Sequence, residues 1–88
     1  MGVVMTTAFT PERVEAIREI IMEHLEVDAE ALTEHSQFFD DHGADSLRMM
    51  DVHAALEVKF GIEIGDAQIA RMVDVHSVCE LVSELADR

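Results

Sequence analysis

Apolar residues recur at three- and four-residue intervals in separate stretches of the chain, the period of helices that bury one face. The first stretch carries Val14, Ile17, Ile21 and Leu25, with Ile20 beside them, while Glu12, Glu15, Arg18, Glu19 and Glu23 occupy the other positions. Thr10-Pro11-Glu12 supplies an N-cap, a proline at the first helical position and an early acid, so a helix is predicted from there to about Glu26 or Val27. A second pattern runs from Ser46 to about Phe60, with Gly61 as its stop signal. Met49, Val52, His53, Leu56 and Phe60 form its core stripe, and Leu47, Met50 and Ala54 form another beside Asp51 and Glu57. That second stripe fits a broad core face and an exposed apolar surface with an acidic rim equally well.

Between the two patterns, Asp28 to Asp45 has no period, yet Leu32, Phe38 and Phe39 are too apolar to stand in water. A long ordered loop packed over the core is therefore predicted. Ile62 and Ile64 flank Glu63 in a short extended segment. Asp66 is expected to cap a brief helix through Met72 with Ile69, Met72 and Val73 inward. Asp74 caps a last helix whose face is Val75, Val78, Leu81, Val82 and Leu85, with Cys79 next to it as a small hydrophobe. The predicted fold class is all-α, a small bundle of three main helices plus one short helix, with the long ordered loop between the first and second helices.

With 88 residues the chain is one domain, read as a lead-in over residues 1–9 and a folded unit over residues 10–88. Nineteen acids against six Lys and Arg leave a net charge of 19 − 6, or −13 when signed, which repels phosphate backbones and anionic lipid surfaces. Nucleic-acid and membrane partners are thereby excluded, and basic protein surfaces are favoured. The single cysteine fits a reducing compartment, and no apolar run reaches the roughly 20 residues of a membrane helix. A cytoplasmic monomer is the expectation. Met1-Gly2-Val3-Val4-Met5-Thr6 also fits the loose myristoylation pattern, and a leader or alternative start explains it as well.

Chemistry concentrates in Asp40-Asp41-His42-Gly43-Ala44-Asp45-Ser46-Leu47, an acidic turn that ends in a hydroxyl at a helix start. Two readings stand side by side. Ser46 is a structural N-cap, or it is a modified serine whose phosphate sits where unpaired N–H groups and the helix dipole favour an anion. Gly43-Ala44-Asp45-Ser46-Leu47 resembles the Asp-Ser-Leu attachment motif of the acyl carrier proteins. The likeness extends over residues 12 to 86 through Phe38 and Phe39, Ala55-Leu56-Glu57, Phe60, Ile62-Glu63-Ile64 and Asp74-Val75.

The resemblance implies that Ser46, flanked by Asp45 and Leu47, carries a 4′-phosphopantetheine arm from coenzyme A whose thiol holds acyl chains as thioesters. It makes the second helix the recognition helix, with Leu47, Met50, Asp51, Ala54 and Glu57 touching partners. It also makes Phe38, Met49, Val52, His53, Leu56, Ile64, Ile69 and Met72 the wall of an acyl-chain interior, each of them core as well. The implied partners are a phosphopantetheinyl transferase and biosynthetic enzymes with basic patches, such as a ketosynthase or an acyltransferase. Brief, salt-sensitive encounters of that kind suit the acidic surface.

Four departures mark the chain off from carriers of fatty-acid synthesis: His42, where leucine is usual; Arg48, where an acid is common; His53 at an inward apolar position; and Gly65 for a frequent proline. They favour a discrete carrier of a polyketide or other specialised pathway. Peptidyl carriers of non-ribosomal peptide synthesis share the fold, but commonly have glycine-glycine before the motif. A non-covalent acidic docking module is the remaining alternative. Catalysis by the chain is not expected, because the nucleophile elbow wants glycines where Ala44 and Arg48 stand, and no segment supplies an oxyanion hole. No metal site is expected either, since the five histidines never fall three or four apart on a helix and the acidic turn lacks calcium-loop spacing. His53 is read as a core histidine with a hydrogen bond, and Cys79 as an inert buried thiol.

Overall fold

The computed structural model describes residues 10–87, so the lead-in read over residues 1–9 lies outside the described residues. Four helices follow in order: α1 over Pro11–Leu25, α2 over Ser46–Phe60, α3 over Asp66–Ile69 and α4 over Val75–Ala86, with no strand among the described residues. The all-α bundle of three main helices and one short one is the architecture the periodicity predicted.

Local chemistry sets the ends of the long helices. Thr10 accepts the Arg13 N–H at 3.1 Å and Pro11 stands at the first turn, so α1 begins where its sequence says. It stops at Glu26, which adopts a left-handed conformation (φ 57°) that costs a non-glycine residue about 1 kcal/mol. Gly61 takes the equivalent place after α2 (φ 64°) without that penalty. Asp74 accepts the Ser77 N–H at 2.8 Å to start α4.

One core runs through the molecule. Ile17, Ile21 and Leu25 of α1 meet Met49, Val52 and Leu56 of α2 and Val75, Val78, Leu81 and Val82 of α4, with α1 packed against both partners. Ile62 and Ile64 alternate inward around exposed Glu63, as their spacing predicted. Cys79 is buried among these residues, and desolvation pushes its thiol up to about 11, which keeps it protonated and unreactive.

Three local readings are corrected. Phe39 is half exposed while Phe38 is fully buried, so only one of the pair anchors the loop. Helix α3 is a single turn capped by the backbone of Gly65 rather than by Asp66, and Val73 lies exposed beyond it. The Gly65 N–H donates to Gln68 Oε1 at 2.9 Å, a bond that proline could not make.

Candidate functional site

The segment from residue 26 to residue 45 contains no helix, so its carbonyls and amides find partners elsewhere. Arg18, which periodicity placed on a solvent face, turns back to donate to the carbonyls of Leu32 at 2.5 Å and Ala29 at 3.0 Å. The Phe38 N–H donates to Val73 O at 2.9 Å and the His76 N–H to Glu34 O at 3.0 Å, stitching the loop to the start of α4. Nearer the motif the chain closes on itself. Asp41 accepts the Gln37 N–H at 2.7 Å, the Ala44 N–H donates to Phe38 O at 2.9 Å, and Gly43 supplies the left-handed turn (φ 66°). His42 has a ring nitrogen 2.8 Å from Ser36 Oγ, so it belongs to the loop's own network.

This braced loop delivers Asp45 and Ser46 to the N-terminus of α2. Asp45 is the N-cap: its Oδ1 accepts the Arg48 N–H at 2.9 Å, and its backbone is extended. The capping reading of Ser46 is thereby corrected, since Ser46 is the first helical residue and a neighbouring side chain does that work. Ser46 is exposed, and its hydroxyl makes no hydrogen bond among the described residues. A hydroxyl left without a structural partner beside the positive end of a helix dipole suits a phosphodiester, whose anionic oxygens the first-turn amides favour.

Leu47 is 74% exposed and Met50 62%, and Asp51, Ala54 and Val58 are exposed with them on one side of α2. The second stripe is therefore an outer surface and not a wider core face. Val58, absent from the predicted set, continues it by one turn. A shallow groove between α1 and α2 adjoins it, lined by Ile20 and Glu23 on one wall and Asp51, Ala54 and Val58 on the other. Glu57 is half-buried and accepts the Ile64 N–H at 2.8 Å, so one of its oxygens serves the loop after α2. Arg48 reaches across to Glu26 at 3.7 Å, which partly neutralises its charge.

Phe38, Met49, Val52, Leu56, Ile64 and Met72 are all in the continuous core, and Ile69 packs half-buried against it. His53 stands among them at 8% exposure. Its Nε2 is buried with no hydrogen-bond partner among the described residues, contrary to the expected bonded core histidine. Desolvation lowers its pKa, opposed by the nearby charge of Glu57, so burial disfavours the charged ring.

The expectation of no converging metal ligands rested on spacing within single helices. Across elements, the fold brings Glu34 and His35 of the loop against His76 of α4, with ligand atoms within 4.8 Å of one another. His76 is held above its ordinary pKa by a hydrogen bond to Glu34. No sequence period could reveal this cluster, because two elements supply it.

Residues 15–85 match the family model described as "Phosphopantetheine attachment site". The chain is 42% identical over 82 residues to polyketide-8 synthase acyl carrier protein 1 of Streptomyces avermitilis, covering 93% of this chain and 98% of that protein. It is 41% identical over 70 residues to the acyl carrier protein of Helicobacter pylori strain G27, covering 80% and 90% respectively. A chain in the solved structure described as "The ishigamide ketosynthase/chain length factor" superposes with a TM-score of 0.73 at 35% identity, covering 90% of this chain and all of that one.

Proposed function

The chain belongs to the acyl carrier protein family, whose prosthetic group is 4′-phosphopantetheine, and from that premise we propose that Ser46 is its attachment residue. The protein is a carrier and not a catalyst. When bound, the group supplies a thiol on which acyl chains are held as thioesters. The observation that supports the assignment is the division of labour at the start of α2: Asp45 caps the helix, and Ser46 presents an exposed hydroxyl with no hydrogen-bond partner among the described residues.

Asp45 and Leu47 flank the attachment point. Leu47, Met50, Asp51 and Ala54, with Val58 added and Glu57 at the edge, form the surface that meets a phosphopantetheinyl transferase and then the biosynthetic enzymes. Exposed apolar side chains beside acids suit brief docking on basic patches. The carrier works as a monomer, and residues 10–88 are its carrier domain. The buried set from Phe38 to Met72 would part to shelter a chain. The favoured setting is polyketide or related specialised synthesis. Support comes from the Streptomyces avermitilis relative and from His42, Arg48, His53 and Gly65, the departures from fatty-acid carriers.

The test is intact mass before and after incubation with coenzyme A, magnesium and a promiscuous phosphopantetheinyl transferase. The wild type gains one phosphopantetheine. No gain by a folded wild-type chain would sink the proposal and leave an acidic docking module.

A further inference from the structure

Three side chains of metal-ligating type converge on the side of the fold where the long loop meets α4, and their donor atoms all lie within 4.8 Å of one another. We propose that Glu34, His35 and His76 bind a divalent transition metal of the zinc type, with water completing the coordination, so that the ion clasps the loop to α4. This inference does not depend on the carrier reading.

The geometry is close to what such an ion needs. Two imidazoles bound tetrahedrally with metal–nitrogen distances of about 2.0–2.1 Å have ring centroids about 5 Å apart. Those of His35 and His76 are 5.1 Å apart and inclined at 41°. His76 Nδ1 and Glu34 Oε2 stand 2.8 Å apart across a hydrogen bond. Ligands of a tetrahedral ion lie about 3.4 Å apart, so replacing the bridging proton by a metal asks for a displacement of roughly half an ångström. The main chain already holds this seam, through the His76 N–H on Glu34 O at 3.0 Å and the Phe38 N–H on Val73 O at 2.9 Å. Convergence therefore does not rest on mobile side chains alone.

Around the three donors stand further acids. Asp74 Oδ2 is 3.6 Å from His35 Nδ1, and Glu80 Oε2 is 3.6 Å from His76 Nε2. Carboxylates this near the two imidazoles favour a cation between them. Two imidazoles with one carboxylate select zinc, cobalt, nickel or copper over magnesium and calcium, which require oxygen-rich sites. The net charge of −13 raises the local concentration of any cation.

The experiment is calorimetric titration of the full chain with zinc chloride in a buffer containing excess magnesium chloride, which saturates diffuse carboxylate binding. Wild type, His35→Ala, His76→Ala, the double variant and His24→Ala are compared, with circular dichroism as the fold control. Expected are one zinc per chain and at least a tenfold loss of affinity in either cluster variant. His24→Ala should show no change. Cobalt should give the visible bands of a four-coordinate ion, and zinc should raise the wild-type melting temperature. Zinc uptake that persists in the double variant, uptake abolished by magnesium, or no uptake by the folded wild type would each overturn the proposal.

Discussion

Replacing His53 by leucine should stabilise the fold. His53 sits on the inner face of α2 at 8% exposure, and its Nε2 is buried without a partner among the described residues. An unmade hydrogen bond at a buried polar atom costs about 1–3 kcal/mol, whereas leucine brings comparable volume and no polar atom. Allowing for imperfect repacking, the net gain is about 1–2 kcal/mol. For a domain of this size each kcal/mol moves the melting temperature by roughly 4–8 °C, so His53→Leu should melt about 5–15 °C higher. Urea denaturation followed by circular dichroism should show a higher midpoint with an unchanged slope. His53→Ala leaves a cavity and should lose stability instead.

Acid dependence supplies a second readout of the same residue. Burial lowers the pKa of His53, so the unfolded chain takes up this proton first as pH falls. The stability tied to its neutral form is fully present above the ordinary histidine value of 6.5 and is lost as pH falls through the lower folded value. His53→Leu should remove that part of the acid loss. His76 acts in the opposite sense: its pKa is raised by Glu34, so its contribution is present at low pH and fades as pH rises through the folded value. If His53→Leu proved less stable than wild type by more than 1 kcal/mol at pH 7.5 with an unchanged slope, Nε2 would have a partner and the reasoning would fail.

Other consequences can be checked on the same footing. Asp45→Ala should cost about 1 kcal/mol by removing the cap of α2, whereas Ser46→Ala should stay within about 0.5 kcal/mol of wild type; chemical denaturation of the pair distinguishes cap from attachment site. Arg18→Met should lose about 1–3 kcal/mol by freeing the carbonyls of Ala29 and Leu32, and hydrogen exchange should rise in the loop around them. Unchanged exchange there would refute the clamp. Leu47→Ala and Met50→Ala should leave stability within about 0.5 kcal/mol while slowing acyl transfer to a ketosynthase, read as a fall in kcat/KM.

Much of the fold was legible because its helix ends are written in short-range chemistry. Thr10-Pro11, Gly61 and Asp74 act on neighbours within a turn, and the stripes of α1, α2 and α4 repeat often enough to fix a face. Ser46 stayed between a cap and a free hydroxyl because Asp45 and Ser46 are both good caps and only backbone geometry separates them. Phe39 and Val73 were misjudged for a different reason: outside a periodic segment, an apolar side chain carries no information about its face. The bend of Arg18 onto the loop and the meeting of Glu34, His35 and His76 depend on contacts between distant parts of the chain, which no local pattern encodes. The outer stripe of α2 needed the packing of α1 to show that Leu47 and Met50 stand exposed.

The attachment of phosphopantetheine at Ser46 is tested most directly by fragment mass spectrometry of the transferase-treated chain, run beside Ser46→Ala. The added mass should fall on the fragment containing Ser46 alone, and Ser46→Ala should remain folded by circular dichroism and unmodified. Added mass on Ser36, Ser77 or Ser83, or on the alanine variant, would contradict the assignment.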